Sequence, residues 1–144
     1  MIDGLFKTHI DPLWEKAARP LAAAGLTPNQ VTLIGLALVA VNVAAFAAHR
    51  SLVVLGFGLV VAFAFDALDG AVARLRGLST RRGGYLDAVV DRYQELAMML
   101  ALGWATGAWV AVMFGLSGAY LTSYAKARTA IEIRIDNDRW PDLF

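Results

Sequence analysis

The chain has 144 residues, 58% of them hydrophobic and 17% charged, and 13 basic against 12 acidic side chains leave a net charge of +1. That balance carries no electrostatic footprint for nucleic acid, and the absence of cysteine excludes disulfides. The apolar excess lies in long runs and the mean hydropathy is +0.56, so an ordinary soluble domain is excluded in favour of an integral membrane protein.

Residues 1–26 do not span. Ile2, Leu5, Phe6, Ile10, Leu13 and Trp14 recur at helical spacing, with Lys7, Glu15 and Lys16 elsewhere around the axis. An amphipathic helix on the inner membrane surface is expected there. A signal peptide fits poorly, because charges and prolines precede the first apolar run. The stretch "LTPNQVT" opens the next helix, with Thr27 as N-cap and Pro28 at the first helical position. Asn29 and Thr32 serve either capping or the mouth of a cytoplasmic site.

Residues 27–128 read as the transmembrane core, with helices at about 28–48, 52–75, 83–104 and 108–127. The gaps "HRS" and "GWATG" are short, so the first and second spans, and the third and fourth, should form antiparallel hairpins. Trp104 and Trp109 flank the second gap as interfacial anchors. Basic residues cluster before the first span, between the second and third, and after the fourth, where Lys126, Arg128, Arg134 and Arg139 lie; the opposite side has only Arg50. The expected topology places both ends and the loop 75–82 in the cytoplasm. Residues 129–144 are a polar cytoplasmic segment, expected to lead to further helices.

Within this apolar core stand Asp66, Asp69, Asp87 and Asp91. At 100° per residue, Asp66 and Asp69 lie ~60° apart and Asp87 and Asp91 ~40° apart. Two helices each present two acids on one stripe at their cytoplasmic ends, and the short loop between them should let the four converge. An unpaired acid in a bilayer costs ~2.5–3.5 kcal/mol on insertion scales. Such a cluster takes up protons, pairs with arginines or binds hard cations. An oxygen-only set suits Mg²⁺, Mn²⁺ or Ca²⁺, and two ions bridged by phosphate account for four acids better than one. Gly70, Ala73, Gly83 and Gly84 lie among the acids. They either let helices approach closely or leave room for a bulky ligand. Gln94 faces the acid stripe and could donate a hydrogen bond behind it, whereas Glu95 is expected to pair with Arg92 or a neighbouring helix.

The pattern Asp66-x2-Asp69-Gly70-x2-Ala73-Arg74-x8-Gly83-x3-Asp87-x3-Asp91 resembles, at every fixed position, the signature of the CDP-alcohol phosphotransferases (CDP-alcohol phosphatidyltransferases). The resemblance implies an all-α membrane enzyme that displaces CMP from a CDP-linked lipid, CDP-diacylglycerol or its archaeal counterpart, with an alcohol acceptor. It implies two divalent cations, Mg²⁺ or Mn²⁺, held by Asp66, Asp69 and Asp87. Asp91 would complete the site and act as general base. Gly70, Ala73 and Gly83 would make room for the nucleotide and Arg74 would contact its phosphates. The segment "SYAKAR" is similar to that of phosphatidylinositol-phosphate and phosphatidylglycerol-phosphate synthases. This similarity implies that Ser123, Lys126 and Arg128 face a phosphorylated acceptor: inositol phosphate first, then glycerol 3-phosphate, then serine. A homodimer in the cytoplasmic membrane, with the site facing the cytoplasm, is also implied. Family members usually have six spans, whereas four are expected here. The rival reading is an ion- or divalent-metal-translocating bundle, which needs polar residues continuing outward; the first and fourth spans offer little there beyond Asn42.

Overall fold

The computed structural model describes residues 3–133, with side chains described from 11 to 132; Arg134, Arg139 and the side chains of Leu5, Phe6, Lys7 and Ile10 lie outside that range. Among the described residues the elements are five helices: α1 (Asp3–Ala23), α2 (Pro28–His49), α3 (Leu52–Arg76), α4 (Arg81–Thr106) and α5 (Trp109–Ile133). Their limits are set by caps. Thr27 and Gln30 form a reciprocal capping box at the start of α2, followed by Pro28 in the first turn. Ser51 and Thr80 cap α3 and α4 with their hydroxyls. Gly77, at φ +62°, closes α3 in the left-handed conformation that glycine adopts without steric cost.

α2 and α3 are long and apolar enough to cross a membrane by length and composition. α4 has comparable length but carries Arg81, Arg82, Asp87, Asp91, Arg92 and Glu95, and α5 is diluted by Gly115, Ser117, Gly118, Thr122 and Ser123. Val53, Phe57, Val60 and Val61 on α3 are all more than half exposed, as are Val110, Met113, Phe114 and Leu121 on α5. Apolar surface on this scale is a liability in water and the natural surface of a helix in lipid.

α2 is the centre of the bundle. It packs on both α3 and α4, α1 lies against α3, and α5 lies against α4. α3 and α4 make only slight direct contact. The acids converge across the short loop as expected, and α2, packed on both acid-bearing helices, sets the spacing between them. Gly35 shows how. A Cβ there would stand 3.2 Å from Phe65 Cβ on α3 and 3.4 Å from Gln94 Nε2 on α4, so the missing side chain lets both helices close on the same point of α2.

Two apolar clusters flank this level. One joins Val39 and Phe46 of α2 to Leu55, Leu59 and Ala62 of α3 and Ala101 of α4. The other joins Ala18 of α1, Val31 of α2 and Ala71 and Val72 of α3, with Trp14 and Leu21 packed against it. α1 thus docks through Trp14, Ala18 and Leu21. Its polar face also differs from the sequence expectation, because Glu15 turns towards α3, where it meets Arg74 at 3.7 Å. At the other end of the bundle, the Arg50 guanidinium lies 4.5 Å from the centre of the Trp104 ring, a cation–π contact that tethers the α2–α3 turn to α4.

Candidate active site

Asp66 and Asp69 occupy the fifteenth and eighteenth positions of α3, ~21 and ~26 Å from its start at 1.5 Å per residue. Asp87 and Asp91 lie in the first three turns of α4. Asp66, Asp69 and Asp87 each offer a carboxylate oxygen within 4.8 Å of the others. Asp69 is 6% exposed, and the Thr32 hydroxyl of α2 donates to its Oδ2. Thr32 Oγ1 also lies 3.1 Å from the Pro28 carbonyl, but one hydroxyl has one proton and the charged acceptor is the stronger partner. Asp66 Oδ1 and Asp87 Oδ1 are buried and have no hydrogen-bond partner.

Three converging carboxylates with two orphaned oxygens fit a hard cation. Every donor is oxygen, no imidazole or thiolate stands among them, and the unpaired atoms lack the protein partners that buried acids otherwise require. Asp91 is not part of the tight triad. It lines, with Asp66, Gln94 and Glu95, a second cavity of about 230 Å³, and its Oδ2 lies 3.9 Å from Arg92. Arg92 Nε in turn lies 3.4 Å from Glu95 Oε2, the pairing expected of Glu95.

On the other side of the triad opens a cleft of about 260 Å³, lined by Asp69, Asp87, Gly70, Ala73, Arg74 and Gly83 together with Asn29, Thr32, Ser79, Thr80 and Gly84. The four non-acidic residues that the motif singles out thus border the same space as two of its acids. Gly70 keeps that space open: a Cβ there would meet only Arg74 Nη1, at 3.6 Å. Gly83 is tighter, with Thr80 Oγ1 at 3.1 Å and Asn29 Oδ1 at 3.4 Å from a built Cβ. Asn29 and Thr32, with capping and site-lining both open from sequence, both line the cleft.

The model of the family described as CDP-alcohol phosphatidyltransferase matches residues 25–140, which contain the triad and both cavities. The chain belongs to this family. Among its relatives in the family is an archaetidylinositol phosphate synthase of Pyrococcus horikoshii, 34% identical over 119 residues, covering 81% of this chain and 62% of the relative. Another is a phosphatidylinositol phosphate synthase of Mycobacteroides abscessus, 36% identical over 124 residues, covering 78% of this chain and 56% of the relative. The crystal structure of the phosphatidylinositol phosphate synthase of Mycobacterium tuberculosis in apo form matches with a TM-score of 0.74 and 31% identity, over 81% of this chain and 65% of that one. The chain therefore spans about three-fifths of the length of these curated family members.

Three residues compared with family synthases by sequence stand apart from both cavities at the triad. Ser123, Lys126 and Arg128 lie on α5, which packs on α4. Lys126 and Arg128 are exposed, and Arg128 pairs with Glu132 one turn on, at 2.6 Å. The sequence reading did not link α1 to the cleft residue Arg74. Asp11 and Glu15 of α1 both reach Arg74. Their signal was their i, i+4 spacing on the side of α1 that also carries Ala18, which is fully buried.

Proposed function

We propose that the whole protein, of which this chain is all or part, transfers a lipid-phosphate group from a CDP-linked lipid to an alcohol and releases CMP. The observation that carries the reading is the triad Asp66, Asp69 and Asp87, set beside a cleft whose floor is Gly70 and whose rim is Arg74. The donor is CDP-diacylglycerol or an archaeal ether equivalent. The acceptor is a phosphorylated polyol, with inositol phosphate first, as the names of the relatives also suggest.

In this scheme Asp66, Asp69 and Asp87 hold two divalent cations, Mg²⁺ or Mn²⁺, with Asp91 completing the set. Such ions neutralise a diphosphate and stabilise the departing CMP. Arg74 binds the donor phosphates at the cleft rim. Gly70, Ala73 and Gly83 leave the volume for cytidine. Asp91, on the second cavity, accepts the proton of the acceptor hydroxyl as its oxygen bonds to the lipid-bearing phosphorus and the bond from that phosphorus to CMP breaks. Lys126 and Arg128 supply positive charge, and Ser123 a hydroxyl donor, for the acceptor phosphate, with a homodimer as the working unit.

Placement is part of the proposal. The acids lie near the cytoplasmic face of the inner membrane, where a headgroup reaches them while its chains stay in hydrocarbon. Asp66 follows 14 residues of α3, ~21 Å of helix, inside a hydrocarbon layer of ~30 Å.

The test is CMP release by the full-length protein from CDP-diacylglycerol with a panel of inositol phosphate, glycerol 3-phosphate and serine, with and without Mg²⁺ or Mn²⁺. The proposal expects metal-dependent release with one acceptor, abolished in Asp91→Asn. Metal flux across vesicles without CMP release would establish the translocating bundle instead.

A further inference from the structure

We infer that Asp11 and Glu15 of α1 are positioning residues for the donor: they orient the Arg74 guanidinium so that its remaining nitrogen faces the diphosphate. The inference rests on the proposed function and adds to it a part for α1.

Arg74 Nη2 lies 3.5 Å from Asp11 Oδ1, and Arg74 Nε lies 3.7 Å from Glu15 Oε1. Nε and Nη2 form one edge of the planar guanidinium fork. Both donors of that edge therefore turn to α1. Nη1 is left on the cleft side, 3.6 Å from the point a Cβ would occupy on Gly70. With that edge turned to α1, the opposite nitrogen points away from it. Here that direction is into the space bordered by Asp69, Asp87 and Gly83.

Stability does not account for these pairs. Arg74 is 44% exposed at its side chain, and Asp11 and Glu15 are 34% and 40% exposed. Ion pairs this exposed contribute little to folding. α1 is docked instead by Trp14, Ala18 and Leu21 against α2 and α3. On the helix wheel Asp11 falls within ~20° of Ala18, so the docked face of α1 delivers its acid to Arg74 without further adjustment. A long arginine at a cleft rim otherwise loses much rotamer freedom when it binds an anion, and holding it beforehand removes that loss from the binding step.

The experiment compares wild type, the double variant Asp11→Asn/Glu15→Gln, the conservative Glu15→Asp, Arg74→Gln and the triple variant, all in the full-length protein. Two readouts are taken: steady-state CMP release, and equilibrium binding of CDP in the presence of Mn²⁺. The double variant is expected to raise the donor KM and weaken CDP binding by about tenfold, the loss of one well-aligned charge-assisted hydrogen bond. Its kcat, acceptor KM and thermal midpoint should stay at wild-type values, and Glu15→Asp, which keeps the charge but draws it one methylene away from Arg74, should fall between wild type and the double variant. In the Arg74→Gln background the same two substitutions should have no further effect. Unchanged or tighter CDP binding in the double variant overturns the inference, the latter by showing that α1 masks Arg74. An equal loss in the Arg74→Gln background also overturns it, by showing an effect not routed through Arg74. These failures differ from that of the functional reading, in which wild type binds no CDP at all and both proposals fall.

Discussion

Thr32→Val separates a working carboxylate cluster from an accidental one. The substitution keeps the branched shape and the volume, and both residue types are similarly restricted in a helix, so α2 is not disturbed by propensity. What disappears is the hydroxyl proton given to Asp69 Oδ2. Thr32 is 4% exposed and Asp69 6% exposed, and both border the cleft. A hydrogen bond to a charged group is worth ~1.5–3 kcal/mol, and every ~1.4 kcal/mol is tenfold in affinity. Partners that hold metal ligands independently show losses of about 10- to 100-fold in metal affinity when removed, and the two ranges agree. Titration of the purified protein with Mn²⁺, read by electron paramagnetic resonance of the free ion, should therefore show affinity reduced ~10- to 100-fold in Thr32→Val. Thr32→Ser should restore it. Equal Mn²⁺ affinity in wild type and Thr32→Val, with the variant folded, would refute the reasoning, because Asp69 would then need no fixing to do its work.

Gly70→Leu should leave the thermal midpoint unchanged, since a side chain there enters open cleft beside Arg74, yet it should abolish CDP binding. Normal CDP binding by this variant would place the nucleotide elsewhere. Gly58→Ala tests the packing of α2 on α3. A Cβ at Gly58 collides with the Asn42 amide, whose nitrogen donates to the Leu55 carbonyl at 2.9 Å, so the variant should lose ~1–3 kcal/mol of stability by overpacking. Chemical denaturation measures it, and the added substitution Asn42→Ala should recover part of the loss. Asp91→Asn should lower kcat far more than it changes CDP binding; an equal loss of both would leave Asp91 only its part in completing the cation set and remove its part as base.

Much of the molecule was legible in the order of its residues. The Thr27–Gln30 box and the short gap around Ser51 mark helix ends by local chemistry, which needs no tertiary information. The acid stripes were legible for the same reason, because helical periodicity decides which side chains share a face. The arrangement of helices was not. Nothing local says that α2 rather than the α3–α4 loop sets the distance between acids; that depends on Gly35 meeting Phe65 and Gln94 from two other helices. Glu15 was read only as lying off the apolar face of α1, because its partner, Arg74, is 59 positions away in sequence. Thr32 could be listed as a cap or a site residue, and only the placement of α2 against Asp69 turned it into a partner of the triad. The sequence grouped Asp91 with the other three acids but could not say that it stands beside Asp66 at the edge of the tight triad, where a second cavity begins.

The most direct measurement is an anomalous difference map from crystals of the full-length protein grown with Mn²⁺ and a CDP-linked lipid. The account expects Mn²⁺ peaks ~2.0–2.6 Å from carboxylate oxygens of Asp66, Asp69 and Asp87, with the diphosphate between them and Arg74. A map with the lipid bound and no Mn²⁺ at these three carboxylates would contradict it.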